Sequence, residues 1–364
     1  MATTTLEPPV VTTTASGHSG SVRGIAVDVP RRRTRRLVTT GVVALVLGVE
    51  AVLAAPYLGG AMTSLMQAAD VWVGLAVLAT AGSLTAFALV RRRLLQAAGL
   101  RVATASSLAS VLVGNAFHMT LPGGVAFSTG YAFRWMRRHG AGSTVAGWNL
   151  AVNGLLSTAS LAGLGLVASL LAGTTSWVRL AVEIAGVAAA VLGVAHLIRH
   201  PDRAAELARG LLARVDRLRG RAPGGDRVAE TVAQLRAVRP TARDWAVAAV
   251  YALLNWVLDL VCLAACTHAL GIAGLTPAVL LTAYVAGMAA SSLSLLPGGL
   301  GVVDAALVLG LVAGGAAAAP ALSAVVLYRL ISLVGVVVAG WVVHAAQAAR
   351  TSSPSPAASS WMTS

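Results

Sequence analysis

The sequence predicts an all-α polytopic integral membrane protein, with about six full spans and two oppositely oriented re-entrant hairpins arranged as an inverted repeat. Three observations predict it. Of the 364 residues, 57% are hydrophobic and only 11% charged, and the mean hydropathy is +0.79. A soluble domain carries about a quarter charged residues. Apolar runs of about 20 residues, the length that crosses a bilayer, recur along the chain. The motif Leu-Pro-Gly-Gly occurs twice, at 121–124 and 296–299, each time after an apolar stretch rich in small residues and Ser. The composition excludes a disordered chain and a disulfide scaffold.

The cations are all arginine. There are 27 of them against 13 acidic residues, for a formal net charge of +14. They fall in blocks between apolar runs: Arg31, Arg32, Arg33, Arg35 and Arg36; then Arg91, Arg92 and Arg93; then Arg134, Arg137 and Arg138. The largest block is 199–243, with 11 Arg against 5 Asp or Glu. This is the positive-inside pattern. It assigns these segments, and both termini, to the cytoplasmic side of the plasma membrane. Anionic inner-leaflet head groups are the partners expected at 199–243. Nucleic acid is not expected, because the arginines alternate with membrane-length runs.

Residues 1–36 read as a disordered, basic cytoplasmic tail. Residues 37–198 form a first membrane half. Its first span is about Leu37–Leu58, and its second, about Val71–Val90, returns to the triple Arg. Residues 102–121 are apolar but carry Ser106, Ser107, Ser110, Asn115 and His118. Only about ten residues separate their Pro-Gly-Gly from the basic stretch Arg134–His139, too few for a full return crossing. A hairpin entering and leaving on the cytoplasmic side satisfies both constraints. A span within Ser143–Leu171 and another at Trp177–Ile198 follow. Residues 199–243 form a cytoplasmic loop whose Arg203–Leu218 segment places apolar residues at helical spacing among arginines, the pattern of a surface-lying amphipathic helix. Residues 244–348 hold the rest of the second half: a span at Trp245–Leu270, a hairpin from 277–296 and Leu300–Val312 opening to the outside, and a last span at Ala321–Ala346. Residues 349–364 read as a disordered tail.

The two Leu-Pro-Gly-Gly copies fall at equivalent points of this order. Proline lacks an N–H, and glycine adopts backbone conformations other residues avoid, so each copy ends a helix and frees backbone polar groups. Such groups persist at membrane depth only where protein buries them or a wet cavity receives them. Two readings follow: opposed broken helices that bind a polar or anionic head group near the midplane, or interfacial loops that turn the chain. On the first, Pro122, Gly123, Gly124, Pro297, Gly298 and Gly299 are candidate substrate-binding positions.

Ionisable residues in apolar runs are costly in lipid and should face the interior or a cavity. Asp304, seven residues past Pro297, and Arg329, eight residues past the start of the last span, reach similar depth at helical rise. They are expected to pair or to contact a substrate jointly. A structural ion pair is the alternative. Ser128 and Asn153 hold nearly the same offsets from Pro122, so neutral groups replace the charge pair in the first half. Glu50, Glu183, Asp259 and His118 are candidates for a proton or polar path. Glu183 also reads as interfacial, and Asn149 with Asn153 as a helix–helix hydrogen-bonding face. Trp72, Trp177, Trp245 and Trp341 mark span ends. Cys262 and Cys266 read as packing residues. No metal spacing, cofactor motif or catalytic constellation emerges.

The stretch Gly114-Asn115-Ala116-Phe117 through Leu121-Pro122-Gly123-Gly124, then Tyr131-Ala132-Phe133-Arg134 and Gly140, resembles the first signature of the lysylphosphatidylglycerol synthase transmembrane-region family, also described as flippase-like. Leu296-Pro297-Gly298-Gly299-Leu300-Gly301-Val302-Val303-Asp304-Ala305-Ala306-Leu307, followed by Leu327-Tyr328-Arg329-Leu330, resembles its second. Tyr328 joins the candidate site through this resemblance. Many relatives place an acidic residue soon after the first Pro-Gly-Gly, where this chain has Ser128. The resemblance implies the flippase-like part without the soluble aminoacyl-transferase domain of full synthases, and so no lysyl-transfer chemistry. The expectation is a non-enzymatic, lipid-handling transporter of an anionic phospholipid or a polyprenyl-linked lipid. The alternative is a non-transporting scaffold or regulator of a cell-envelope biosynthesis enzyme, docked through 199–243. A membrane-embedded transferase lacks a nucleophile–base pair.

Overall fold

Long runs of Ala, Leu and Val leave the backbone no hydrogen-bond partner but itself, and in an apolar surround the helix is the local solution. The computed structural model describes residues 70–121, 123–173, 240–291, 297–299 and 301–352, with positions 181, 185, 186, 188 and 238. Every regular element among them is helical. These are α1 (Asp70–Ala97), α2 (Thr104–Thr120), α3 (Gly124–Arg138), α4 (Ser143–Ala172), α5 (Ala242–Ala269), α6 (Pro277–Ser291), a 3-10 turn at Pro297–Gly299, α7 (Val302–Ala313), α8 (Ala318–Arg329) and α9 (Val336–Ser352). A π-helical stretch, Leu330–Gly335, joins α8 to α9.

Four helices are long and apolar enough to cross a membrane: α1, α4, α5 and the continuous Ala318–Arg350. They coincide with four of the expected spans. Those at Leu37–Leu58 and, apart from isolated positions, Trp177–Ile198 lie outside the described residues, as do Glu50, Pro122, Glu183, both tails apart from Ala349–Ser352, and most of the 199–243 loop. Large apolar side chains point outward: Leu78 is 70% exposed and Leu309 67%. Water would penalise such a surface, whereas lipid accepts it. The protein is membrane-embedded.

The centre of the bundle is the crossing of α1 and α5. Small residues, Ala76, Ala79, Ala86, Ala248, Ala252 and Ala265, are buried there and let the backbones approach. Trp72 stacks on His268 with ring centroids 4.8 Å apart, Thr80 donates to the Cys262 Sγ at 3.2 Å, and Arg93 pairs with Asp244 at 2.9 Å. Numbers rise along α1 as they fall along α5, so the two run antiparallel. Each helix has 28 residues, and Ser83 and Asn255 are the fourteenth of each. These two bond reciprocally: Asn255 Nδ2 donates to the Ser83 Oγ at 2.7 Å and its carbonyl at 3.0 Å, and Ser83 Oγ donates to the Asn255 carbonyl at 2.9 Å.

Two helical hairpins pack around this crossing. α2 folds back on α3, and α6 on α7. Their corners need a left-handed backbone, which Gly123 (φ 68°) and Gly298 (φ 66°) supply. Each hairpin also packs on a span from the other half of the order, α2 on the last span and α6 on α4. Gly340 makes the first contact possible, since a Cβ there would strike the Leu112 carbonyl and the Ala116 methyl.

The ends of α1, α3 and α9 share one end of the bundle with the starts of α2, α4 and α5. Arg92, Arg93, Arg101, Arg134, Arg137, Arg138, Arg243 and Arg350 cluster there. No described Arg lies at the opposite end. One difference from the sequence reading stands out. α1 does not stop at Val90 but carries the triple Arg on its last turns, because neighbouring helices cover part of that surface; Arg91 is buried at 6% exposure. Trp341, read as a span-end residue, packs on Phe117 and His344, with centroids 5.3 and 5.7 Å away.

Replacing Asn255 by Leu removes the two side-chain amide bonds at the crossing and leaves only the Ser83 hydroxyl on the backbone carbonyl of position 255. It should lower unfolding stability in detergent by about 1–2 kcal/mol, read as a fall in melting temperature. Gly340→Leu should cost about 1–3 kcal/mol or more by overpacking against α2. A melting temperature unchanged in Gly340→Leu would refute the close approach.

Candidate functional site

Both hairpin corners border one cavity of about 570 Å³. The first corner contributes Leu121, Gly123 and Gly124, and the second Gly298 and Gly299. Thr80, Ser83, Asn255 and Asp259, from the middle of α1 and α5, line the same space. The corners therefore lie at mid-height of the two central helices. A Cβ built on Gly298 would come within 3.9 Å of the Met119 carbonyl and 2.9 Å of Leu333, so the corners nearly touch each other and the π-helical stretch.

Arg329 and Asp304 meet at this cavity's edge. Arg329 Nε donates to Asp304 Oδ1 at 2.5 Å, and its Nη1 to the Gly298 carbonyl at 3.2 Å. The other carboxylate oxygen, Asp304 Oδ2, accepts the Gly301 N–H at 2.9 Å, capping the start of α7. The carboxylate thus stitches three pieces of chain: the second corner, α7 and the last span. Arg329 Nη2 is buried and has no partner among the described residues. Arg329 lines the cavity. The π-helical stretch begins at the next residue, Leu330; such wide turns shift side-chain direction within an otherwise regular helix.

Asp259 occupies the adjoining wall. Its Oδ2 accepts from the Tyr284 hydroxyl at 2.7 Å and the Tyr328 hydroxyl at 2.9 Å. Tyr284 is fully buried and Tyr328 nearly so. This triad ties α5, α6 and α8 together, with Asp259 bordering the cavity. His118 also lines the cavity, beside Asn115. Among the described residues no group of His, Cys, Asp and Glu could hold a metal ion.

The structure therefore brings Gly123, Gly124, Gly298, Gly299, Asp259, Tyr328, Arg329 and His118 to one cavity, with Asp304 behind Arg329. It places the 3-10 turn beginning at Pro297 in the corner itself. Ser128 and Asn153 are elsewhere. They line a second, smaller space in the first half, where Ser128 Oγ bonds only its own Val125 carbonyl. Asn149 joins helices as a polar face would, its amide donating to the Arg91 carbonyl at 3.0 Å. The sequence reading missed Thr80, Ser83, Asn255 and Tyr284. Asn255 carried a signal: a lone amide inside an apolar run, as informative as a lone charge. Tyr284 carried none, since a tyrosine in a span is usually packing.

No curated protein matches the sequence. The family model described as the lysylphosphatidylglycerol synthase TM region matches residues 38–340, which includes all the helices above except most of α9. Two Pro-Gly-Gly corners meeting at mid-height, with an Asp–Arg pair locking the second, are thus the internal architecture of a chain that belongs to the lysylphosphatidylglycerol synthase TM-region family.

Proposed function

We propose that the protein is a flippase-like transporter that carries an amphipathic lipid with an anionic head group, an anionic phospholipid or a polyprenyl-linked lipid, across the plasma membrane. The observation that carries this reading is the mid-height cavity with the unpartnered Nη2 of Arg329 at its wall. A buried cationic donor without a partner fits a phosphate or carboxylate arriving from the lipid. The apolar exterior leaves the acyl chains in the bilayer while the head group crosses.

In this reading the two hairpins are re-entrant and the halves form an inverted repeat. Antiparallel α1 and α5, joined at the fourteenth residue of each, support a pseudo-two-fold axis through Ser83 and Asn255. The reciprocal packing of α2 on the last span and α6 on α4 supports the same axis. Halves related in this way can rock about the crossing and open the cavity to each side in turn. The Arg-rich end faces the cytoplasm. Asp304 is a positioning residue: it holds Arg329 against the corner and leaves Nη2 free. No covalent chemistry is assigned.

The test is translocation of a fluorescent phosphatidylglycerol in proteoliposomes. Arg329→Ala should slow it by roughly tenfold or more, the loss expected for one charge-assisted contact. Asp304→Asn should slow it less, because an amide still accepts from the Gly301 N–H. Equal rates for wild type and Arg329→Ala, in equally folded protein, remove the cavity from the mechanism. Activity that depends on 199–243 and ignores both corners favours the scaffold reading.

A further inference from the structure

A second cavity, of about 300 Å³, lies between α1, α2, α3 and α4. Phe87, Arg91, Asn115, His118, Ser128 and Asn153 border it. Arg91 is its only charged lining residue. The residue is 6% exposed. Its Nη1 donates to the Ser110 Oγ at 2.8 Å, its guanidinium carbon lies 5.8 Å from the Phe87 ring centre, and its Nε is buried without a partner among the described residues.

A guanidinium stays protonated in proteins and is expensive to bury unpaired. One hydroxyl and one ring face offset little of that. Each acidic side chain among the described residues is accounted for elsewhere. Asp244 pairs with Arg93, Asp304 with Arg329, and Asp259 takes two tyrosine hydroxyls. Asp70 opens α1, roughly 30 Å away at helical rise. The rest of the lining is polar, and Asn153 keeps a buried side-chain oxygen without a partner. An unpaired cation among neutral hydrogen-bonding groups is an anion receptor in both charge and shape.

Asn115 and His118 line this chamber and the central one alike. The two spaces share that wall, with Arg91 beyond it on one side and Arg329 on the other. Arg91 sits six residues from the end of α1, nearer the Arg-rich end.

We propose that the first-half chamber is a second anion site, with Arg91 as its counter-charge, and that it takes the phosphate of a lipid head group on the Arg-rich side before that group passes Asn115 and His118 to Arg329. The inference rests on the transport reading, deepens it to a two-station path, and assigns Arg91 as a ligand-binding residue. Ser128 and Asn153 put neutral groups at the offsets of the second half's charge pair. The cation is present but comes from α1 rather than from the hairpin or the following span.

The test uses the full chain in phosphatidylcholine nanodiscs, titrated with dioctanoyl phosphatidylglycerol or with inorganic phosphate, and read by thermal shift and native mass spectrometry. Arg329→Gln removes the central station, so lipid binding that persists in it reports the first chamber. Adding Arg91→Gln should weaken that remaining binding roughly tenfold or more. Gly154→Leu provides an independent route should Arg91→Gln fail to fold. Gly154 lines the chamber with nothing within 4 Å of its missing Cβ, so a side chain there occupies the space and spares Arg91. It should abolish the remaining binding with the melting temperature retained. Loss of all binding in Arg329→Gln alone overturns the second site and leaves the transport reading standing. Absence of lipid binding in wild type overturns both. Competition by inorganic phosphate at equal concentration shows a free-anion site and overturns the lipid assignment. Glu50→Gln destabilising as much as Arg91→Gln, with the double variant no worse than either, makes Glu50 the counter-charge and overturns the proposal.

Discussion

Backbone polar groups freed inside a membrane protein must find partners or a wet space, and this fold is organised around that requirement. Each Pro-Gly-Gly break interrupts a helix at mid-height, where hydrocarbon offers nothing to a bare carbonyl or N–H. Both breaks are turned inward, toward each other, and share one cavity. Arg329 takes the Gly298 carbonyl, and Asp304 takes the Gly301 N–H. The ion pair between them repairs a broken helix first. Nη2 is the guanidinium nitrogen left without a partner among the described residues.

The same constraint explains the crossing of α1 and α5. Corners that meet in the middle need a rigid partner at the same height. Antiparallel helices pinned at their centres provide it, with small side chains that bring the backbones close and one reciprocal amide–hydroxyl pair that sets the register. A pin at the centre restrains sliding more than rotation, because both ends of each helix lie far from it. That geometry suits two halves that rock about a fixed point. The Asp259–Tyr284–Tyr328 cluster, by contrast, binds three helices of the second half into one unit.

The two halves differ in how they hold charge. In the second half an arginine and a carboxylate lie together at the corner, and most of the arginine's capacity is consumed by the protein. In the first half an arginine lies alone behind a histidine–asparagine wall, with a single hydroxyl and the face of one ring.

The all-helical membrane class, four of the spans, both corners and the Asp304–Arg329 pairing were legible in the linear sequence, because each rests on local arithmetic. Apolar length, flanking arginine, helix-breaking residues and helical rise can all be counted along one chain. What the chain could not disclose was which of three consecutive arginines turns inward. Arg91, Arg92 and Arg93 are identical as letters, and only the placement of α2 and α4 against α1 makes Arg91 the buried one. Nor could it pair Ser83 with Asn255, or place Tyr284 beside Asp259, since those contacts join positions 172 and 25 residues apart through helix packing. Sequence by itself determined where the chain crosses and where it breaks; the tertiary structure decided which polar groups face one another, because that depends on the rotation and register of whole helices, which no local pattern encodes.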